Sequence, residues 1–419
     1  MVAPIPAVGV KESPIDVVAH NFESAAGRLC LHAELKAVLS RPARAIHAQL
    51  PVRMDDGTLR VFEAYRVQHS DVRGPYLGGL RYVPALTVEE VSAMSVWTSL
   101  RCAVANVPFG GAHGGVACDP AAMSKRELEA LTRKYTACMH LGMGPYRDVH
   151  GPDVGSDSET MRWMLDEYSQ LHEYSPACVT GKTVEQGGVP LYEDALTLGV
   201  AVVLRELARE HGEATPLRIA VQGLGASAIR MVLFLARADC IVVALSNGIS
   251  GVHCADGIDI DAVVDHVQRG GKLHEIPATE KVSCADVVEC SCDVVIAAAR
   301  DCALHARNAR RIRANIVIEA TGLASTAAAD AVFGDRGITV VPDLIAAAGP
   351  LVVSHLEWSQ NLKPVIWDEA RVASELEQSV RRAYDSTKQK AAEDEITLRE
   401  AACCMGLERL ARAEKLRLP

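Results

Sequence analysis

The chain has no run of 18 apolar residues, so no membrane-spanning helix is expected. It also has no excess of positive charge. Against 43 Lys and Arg stand 53 Asp and Glu, a formal net charge of −10. That balance argues against a generally basic face, so neither nucleic acid nor an anionic membrane is an expected partner. The opening residues, MVAPIPAVGVKESPIDVV, show no basic segment leading into a long apolar one. They do not read as a secretory leader, and a cytoplasmic location is expected. The thirteen cysteines are scattered, with only Cys290/Cys292 and Cys403/Cys404 close together. Neither pair has zinc-ligand spacing and no histidine pair completes a site, so no metal is expected. The thiols read as reduced, small apolar side chains. Tandem repeats and long low-complexity linkers are missing too.

What is present is ordinary for a globular protein: 49% apolar and 23% charged residues. A length of 419 residues suggests roughly two or three domains. Residues 13–40 carry apolar side chains at three- and four-residue spacing and predict a helix. The runs AIHAQLPVRM and LRVFEAYRVQHS, joined by DDGT, predict a β-hairpin. TVEEVSAMSVWTSLRCAVAN and SKRELEALTRKYTACMHLG both open with a capping box and predict helices. From about residue 190–200 the pattern changes. A long helical segment, LYEDALTLGVAVVLRELAREHGE, is followed by LRIAVQGLG, CIVVALSNG, CDVVIAAA, ANIVIEATG and GITVVPDLI. Short apolar strands alternating with helices predict a parallel sheet covered on both faces. Two α/β domains follow, with a helical, charged tail from about 366 to 415.

Two stretches carry chemistry. The first, Gly223-Leu-Gly225-Ala226-Ser227-Ala228, follows a strand and opens a helix. The first glycine permits a tight turn, and the second lets backbone approach a pyrophosphate. A small third residue allows close packing, and the helix N-terminus faces the phosphates. At the end of the next strand, where an acidic residue would hold the ribose hydroxyls, stands Asn247. It carries no charge to repel a 2′-phosphate, so NAD and NADP both stay open; a plain turn residue is the other reading. The second stretch is VPFGGAHGGV, in which four glycines surround one titratable side chain, His113. Its backbone is built for close approach, and an imidazole with an ordinary pKa near 6.5 can serve as a base near neutrality.

The ordered segments PVRMDDGTLRVFEAYRVQHSDVRGPYLGGLRYVP, CAVANVPFGGAHGGV, GPDVGSDSETMRWMLDEYS, VTGKTVEQGG, GVHCADGIDIDAV and VPDLIAAAGPLVVSHLEWSQN resemble the glutamate/leucine/phenylalanine/valine dehydrogenases over nearly the whole chain, most closely the hexameric glutamate dehydrogenases. The resemblance implies an N-terminal α/β substrate and oligomerisation domain over 1–195 and a Rossmann-like dinucleotide-binding domain over 196–350. C-terminal helices over 351–419 would return to the first domain. It implies reversible oxidative deamination of an L-amino acid, a nicotinamide cofactor, a cleft between the domains, and a hexamer of identical chains or one shared with an active paralogue.

The resemblance also marks departures. Where the family's glycine loop holds its catalytic lysine, this chain has His113. Arg101 stands at the lysine for the substrate α-carboxylate, an exchange that keeps the charge and alters geometry. Leu77 stands at the lysine that pairs with glutamate's distal carboxylate, so a charged substrate side chain would be left unpaired. Leu196 replaces a threonine that binds the carboxamide, Gly322 replaces an asparagine of the cofactor pocket, and Ala347 replaces an asparagine beside substrate and nicotinamide. Asp153 matches the catalytic aspartate and Ser354 a substrate-pocket serine. His150 reads as a partner of Asp153, a ligand contact or a surface loop residue. Three expectations follow: a divergent NAD(P)-dependent dehydrogenase for a non-glutamate amino acid; a catalytically silent regulatory or structural subunit; or a cleft turned to other chemistry on a specialised metabolite, with His113 as acid or base.

Overall fold

The protein is described by a computed structural model covering residues 12–211, 216–238, 240–299, 301–363 and 365–417. Its contacts divide into two compact units. In place of one helix over 13–40 there are two, α1 (Pro14–Arg28) and α2 (Ala33–Leu39), because Cys30 takes a left-handed φ of 46°.

One unit comprises Ala25–Tyr192, Leu351–Glu375 and the chain from Cys403. Its sheet contains β1 (Arg44–Arg53), β2 (Leu59–Ser70), β3 (Tyr76–Val83), β4 (Gly110–Ala117) and β5 (Asp148–Pro152), in the order β1-β2-β4-β3-β5. The expected hairpin is present as the antiparallel pair β1–β2, whereas β3 runs parallel to both β4 and β5. Helices α3 (Val88–Val104) and α4 (Lys125–Met139) begin at the two expected capping boxes, Thr87 with Glu90 and Ser124 with Glu127. Helix α5 (Ser158–Leu171) packs on α4.

Alternation along the strands sorts side chains onto two faces. Leu80, Tyr82 and Val116 join Tyr135 of α4 and Met161 and Met164 of α5 in the main core. On the opposite face Val67 and Leu86 meet Val91 of α3. There β4 comes so close to α3 that a β-carbon on Gly111 would lie 2.2 Å from the amide nitrogen of Ser99. Ser99 is itself anchored, its Oγ lying 2.7 Å from Nδ1 of buried His69.

The other unit contains Glu193–Pro350 and Leu376–Ala402. Its seven strands are β6 (Arg218–Gln222), β7 (Ile241–Ser246), β8 (Gly251–His253), β9 (Glu280–Val282), β10 (Val294–Ala297), β11 (Ile316–Glu319) and β12 (Thr339–Val341), ordered β12-β11-β10-β6-β7-β8-β9. The first five in that order run parallel, as expected; β8 and β9 add an antiparallel edge. Helices α6 (Ala195–His211), α7 (Ala226–Arg237), α8 (Ile260–Gln268), α9 (Ala306–Ala309), α10 (Ala327–Asp335) and α11 (Asp343–Ala346) connect them. From β6 the chain moves to β7 on one side and later to β10 on the other, so the end of β6 is a topological switch point. Helices α12 (Gly349–Leu362), α13 (Glu369–Glu393) and α14 (Leu398–Glu414) complete the chain.

Two fully buried ion pairs brace the first unit. Arg66 donates to Asp148 through Nε at 2.9 Å, and Gln68 donates to the same carboxylate at 2.6 Å. The Nζ of Lys182 donates to Glu357 of α12 at 2.5 Å and to the carbonyl of Val179 at 2.6 Å. Removing one partner of such a pair strands a charge in a medium that solvates it poorly. Glu357→Ala is expected to cost about 3–5 kcal/mol in denaturant unfolding. The double change Lys182→Met with Glu357→Leu should recover most of that loss; if the single and double variants unfold alike, the pair is not what braces this region.

Candidate active site

On β3, Leu77, Gly79 and Arg81 share the face turned towards α3. In the parallel register Leu77 pairs with Gly111 of β4 and Val149 of β5, and Gly79 pairs with Gly151. His113 lies two residues beyond Gly111, on that same face, and Asp153 follows directly after β5. The carboxylate of Asp153 lies over Gly79, where a β-carbon would come within 2.7 Å of its Oδ2. This brings His113 Nε2 to 3.1 Å from Asp153 Oδ2. Arg81, which the sequence reading did not single out, approaches the other oxygen at 3.5 Å, and the amide of Val154 donates to it at 2.6 Å. Its signal was available: Arg81 is two and four residues from Gly79 and Leu77, which places all three on one side of a strand.

Electrostatics set the protonation of this pair. Burial opposes ionisation of Asp153, but Arg81 and His113 outweigh it and hold the carboxyl well below the usual range. Burial pushes His113 down from its ordinary value, against the pull of Asp153 and with the help of Arg81 and Arg66. The favoured state is therefore a carboxylate facing a neutral imidazole. The Nε2–Asp153 approach is a close contact outside hydrogen-bond geometry, so it assigns no tautomer to the ring. Both ring nitrogens are buried and have no hydrogen-bond partner among the described residues.

Of the remaining expected substrate residues, Leu77, Arg101 and Ser354 lie in the same unit, whereas Ala347 lies in the other. Leu77 is buried, and Arg101 sits half-buried in the last turn of α3. Ser354 of α12 belongs to a triangle of hydroxyls: its Oγ is 3.0 Å from Tyr192 Oη and 3.3 Å from Thr180 Oγ1, and those two are 3.3 Å apart. A β-carbon on Gly151 would meet Thr180 Oγ1 at 3.1 Å and Tyr192 Oη at 3.5 Å, so the triangle borders β5. Neither Thr180 nor Tyr192 was foreseen, since they join Ser354 only through folding. His150 proves to be neither a surface residue nor a partner of Asp153. Its place on β5 puts it on the core face, fully buried, with Nε2 3.4 Å from Tyr135 Oη. Burial, aided by Arg66, lowers its pKa to about 3.

The expected dinucleotide residues lie in the second unit and fit such a ligand. Gly223 turns the chain at φ +119°, with its β-carbon position 2.5 Å from the carbonyl of Ala298. Gly225 N-caps α7 without a side chain, and Gly225, Ala226 and Ser227 are exposed, so helix amides are open to an anion. Buried Gln222 Oε1 and Thr197 Oγ1, at the ends of β6 and in the first turn of α6, have no partner among the described residues, as expected of groups reserved for a polar ligand. Thr197 follows Leu196, which is half-buried. Asn247 has its Oδ1 occupied by the amides of Ile249 and Ser250, both at 3.0 Å, so it is a turn residue with only its amide left for a ribose. Glu319 takes the amides of Ser325 and Asp343 and thereby shapes the loop holding Gly322. A β-carbon on Gly322 would meet Asp343 Oδ2 at 3.7 Å, an ordinary contact. Ala347 caps the end of α11 and is buried.

Sequence comparison accounts for both units. The dimerisation domain of Glu/Leu/Phe/Val dehydrogenases matches residues 42–170, and the Glutamate/Leucine/Phenylalanine/Valine dehydrogenase domain matches 187–417. The chain belongs to this dehydrogenase family. The cryptic catabolic NAD-specific glutamate dehydrogenase of Bacillus subtilis is 36% identical over 389 residues, covering 92% of this chain and 91% of that protein. The glutamate dehydrogenase of Thermotoga maritima is 36% identical over 413 residues, with 97% and 99% covered. Among solved structures, the hetero-hexameric glutamate dehydrogenase of Thermus thermophilus, in a Leu-bound form, superposes with a TM-score of 0.93 at 34% identity over 99% of this chain and all of that one. This family member is thus a glutamate-dehydrogenase-like oxidoreductase in sequence and fold, with relatives that use NAD.

Two outcomes follow. His150 takes up no proton in the folded state until far below pH 6.5, whereas the unfolded chain takes one up near 6.5. Its neutral burial therefore contributes stability above about pH 6.5 that is lost as pH falls towards 3. Replacing it in His150→Leu should flatten the fall of unfolding free energy around pH 5 by about 1.4 kcal/mol per pH unit; an unchanged slope would mean the histidine is already protonated when folded. For Gly225, nothing lies within 4 Å of an added β-carbon. Gly225→Ala should leave the melting temperature unchanged while weakening NADH binding, measured by nicotinamide fluorescence. Equal affinity would remove this turn from the dinucleotide site.

Proposed function

We propose that the chain is a nicotinamide-dependent dehydrogenase for an L-amino acid with an uncharged side chain, using His113 where its relatives use an ammonium. The observation that carries this reading is the neutral imidazole beside Asp153, whose ring nitrogens are buried and have no hydrogen-bond partner among the described residues. Such a nitrogen is available to take a proton from water attacking an imine and to return it. Asp153 orients the ring and exchanges protons with the reacting amine. Arg101 supplies the charge for the α-carboxylate. Leu77 lines the wall where a distal cation would be needed for glutamate, so a charged side chain pays desolvation without a partner. A bound dinucleotide would accept the hydride from the substrate Cα.

A second reading has its own support. Leu196, Gly322 and Ala347 each remove a polar group expected to hold the nicotinamide, and a hydrogen bond lost in this way costs about 1 kcal/mol or more. The Thermus thermophilus neighbour is a hetero-hexamer. The chain then serves as a silent subunit that assembles with an active paralogue; the first reading assigns it a hexamer of its own.

Titrating NADH and NADPH separates the two. Binding of either below millimolar concentration, followed by turnover of an apolar or uncharged amino acid at 340 nm, is the expected result. No binding of either cofactor would overturn it in favour of the silent subunit. His113→Lys adds a finer distinction: a changed pH profile with retained substrate preference marks the imidazole as the working base, whereas turnover appearing only in the lysine variant shows that the histidine disables the site.

A further inference from the structure

Helices α4 and α5 end side by side, away from the site just described. His140 is the C-cap of α4 and His172 the C-cap of α5. Their rings approach with Nδ1 of His140 2.9 Å from Nε2 of His172, centroids 5.1 Å apart and planes tilted by 45°. One nitrogen donates and the other accepts, so these two nitrogens face each other, and a bound ion would take the place of the shared proton. His172 is exposed and His140 half-buried, so solvent reaches the pair.

Three features turn this contact into a candidate ligand site. The first is distance. Two nitrogens bound at about 2.0 Å lie about 2.8 Å apart across a right-angled coordination edge and about 3.3 Å apart across a tetrahedral one. The observed 2.9 Å matches the right-angled edge. The second is preorganisation. Tyr168, one turn earlier on α5, stacks on His172 with centroids 4.5 Å apart and planes within 29°. Its hydroxyl donates to the carbonyl of Met143 at 3.5 Å, which ties the ring in place. The third is the field. Two helix C-termini converge here, and each carries the partial negative charge of its unpaired carbonyls, which favours a cation.

We propose that His140 and His172 form a bidentate site for a divalent transition-metal ion of square-planar or octahedral preference, Cu2+ or Ni2+, with water completing its coordination. Among the described residues no cluster of three or more His, Cys, Asp and Glu could hold a metal ion, so the pair is the whole protein contribution. Imidazole donors exclude Mg2+ and Ca2+, which take oxygen ligands. The thirteen cysteines add competing thiols, of which Cys30 and Cys138 are exposed. They are blocked beforehand.

The test is calorimetric titration of Ni2+ into the full chain after alkylation with iodoacetamide, beside His140→Ala, His172→Ala and the double variant. One equivalent is expected on the native protein. Each single variant should weaken it at least about tenfold, and the double variant should not weaken it further than the worse single. Cu2+ added to the native protein should give an electron paramagnetic resonance signal with two equatorial nitrogens. Circular dichroism verifies that the variants are folded, and His172→Gln replaces His172→Ala if that variant is not. Equal stoichiometry and affinity in native and double-variant protein, or a Cu2+ spectrum unaltered by removing both rings, overturns the site. None of these readouts depends on turnover.

Discussion

Backbone crowding at the centre of the first sheet is the constraint on which the site depends. Strand β4 rests on α3 with no room for a β-carbon at Gly111, and β3 leaves room at Gly79 only for the carboxylate of Asp153. Any larger residue at either position would force layers apart that must stay in register. The glycines thus act as spacers of minimum thickness. They let an imidazole on one strand meet a carboxylate that follows another, and let Arg81 reach the same carboxylate from the strand in between.

That arrangement has an electrical consequence. A lysine in the place of His113 would bring a full positive charge to Asp153, whereas a buried imidazole is neutral there. Arg81 is left as the main counter-charge. The site is a carboxylate held by a guanidinium and flanked by a neutral ring. Around it the fixed ion pairs Arg66–Asp148 and Lys182–Glu357 are fully buried and keep the surrounding strands and helix in place.

The sequence revealed the periodic parts of this structure well. Capping boxes located α3 and α4, the turn DDGT located the hairpin, and the apolar runs located β6, β7, β10, β11 and β12. The glycine stretch brought His113 forward and resemblance to the family brought Asp153 and Ser354, and the fold brings His113 and Asp153 together. Contacts made only by folding were invisible. Thr180, Tyr192 and Ser354 are separated by up to 174 residues and form one hydroxyl triangle. His140 and His172, 32 residues apart, carry no spacing that a motif could recognise. The break after α1 was hidden because a left-handed cysteine has no sequence signature as strong as glycine. His150 was misplaced because, three residues before Asp153, its position on β5 turns it to the other side of the sheet.

The loop after β11 is open at Gly322. A β-carbon there would meet only Asp343 Oδ2, at 3.7 Å, an ordinary van der Waals contact. Neighbours therefore need not retreat to admit the first carbon of a side chain, and an alanine can be introduced at this position without displacing Asp343.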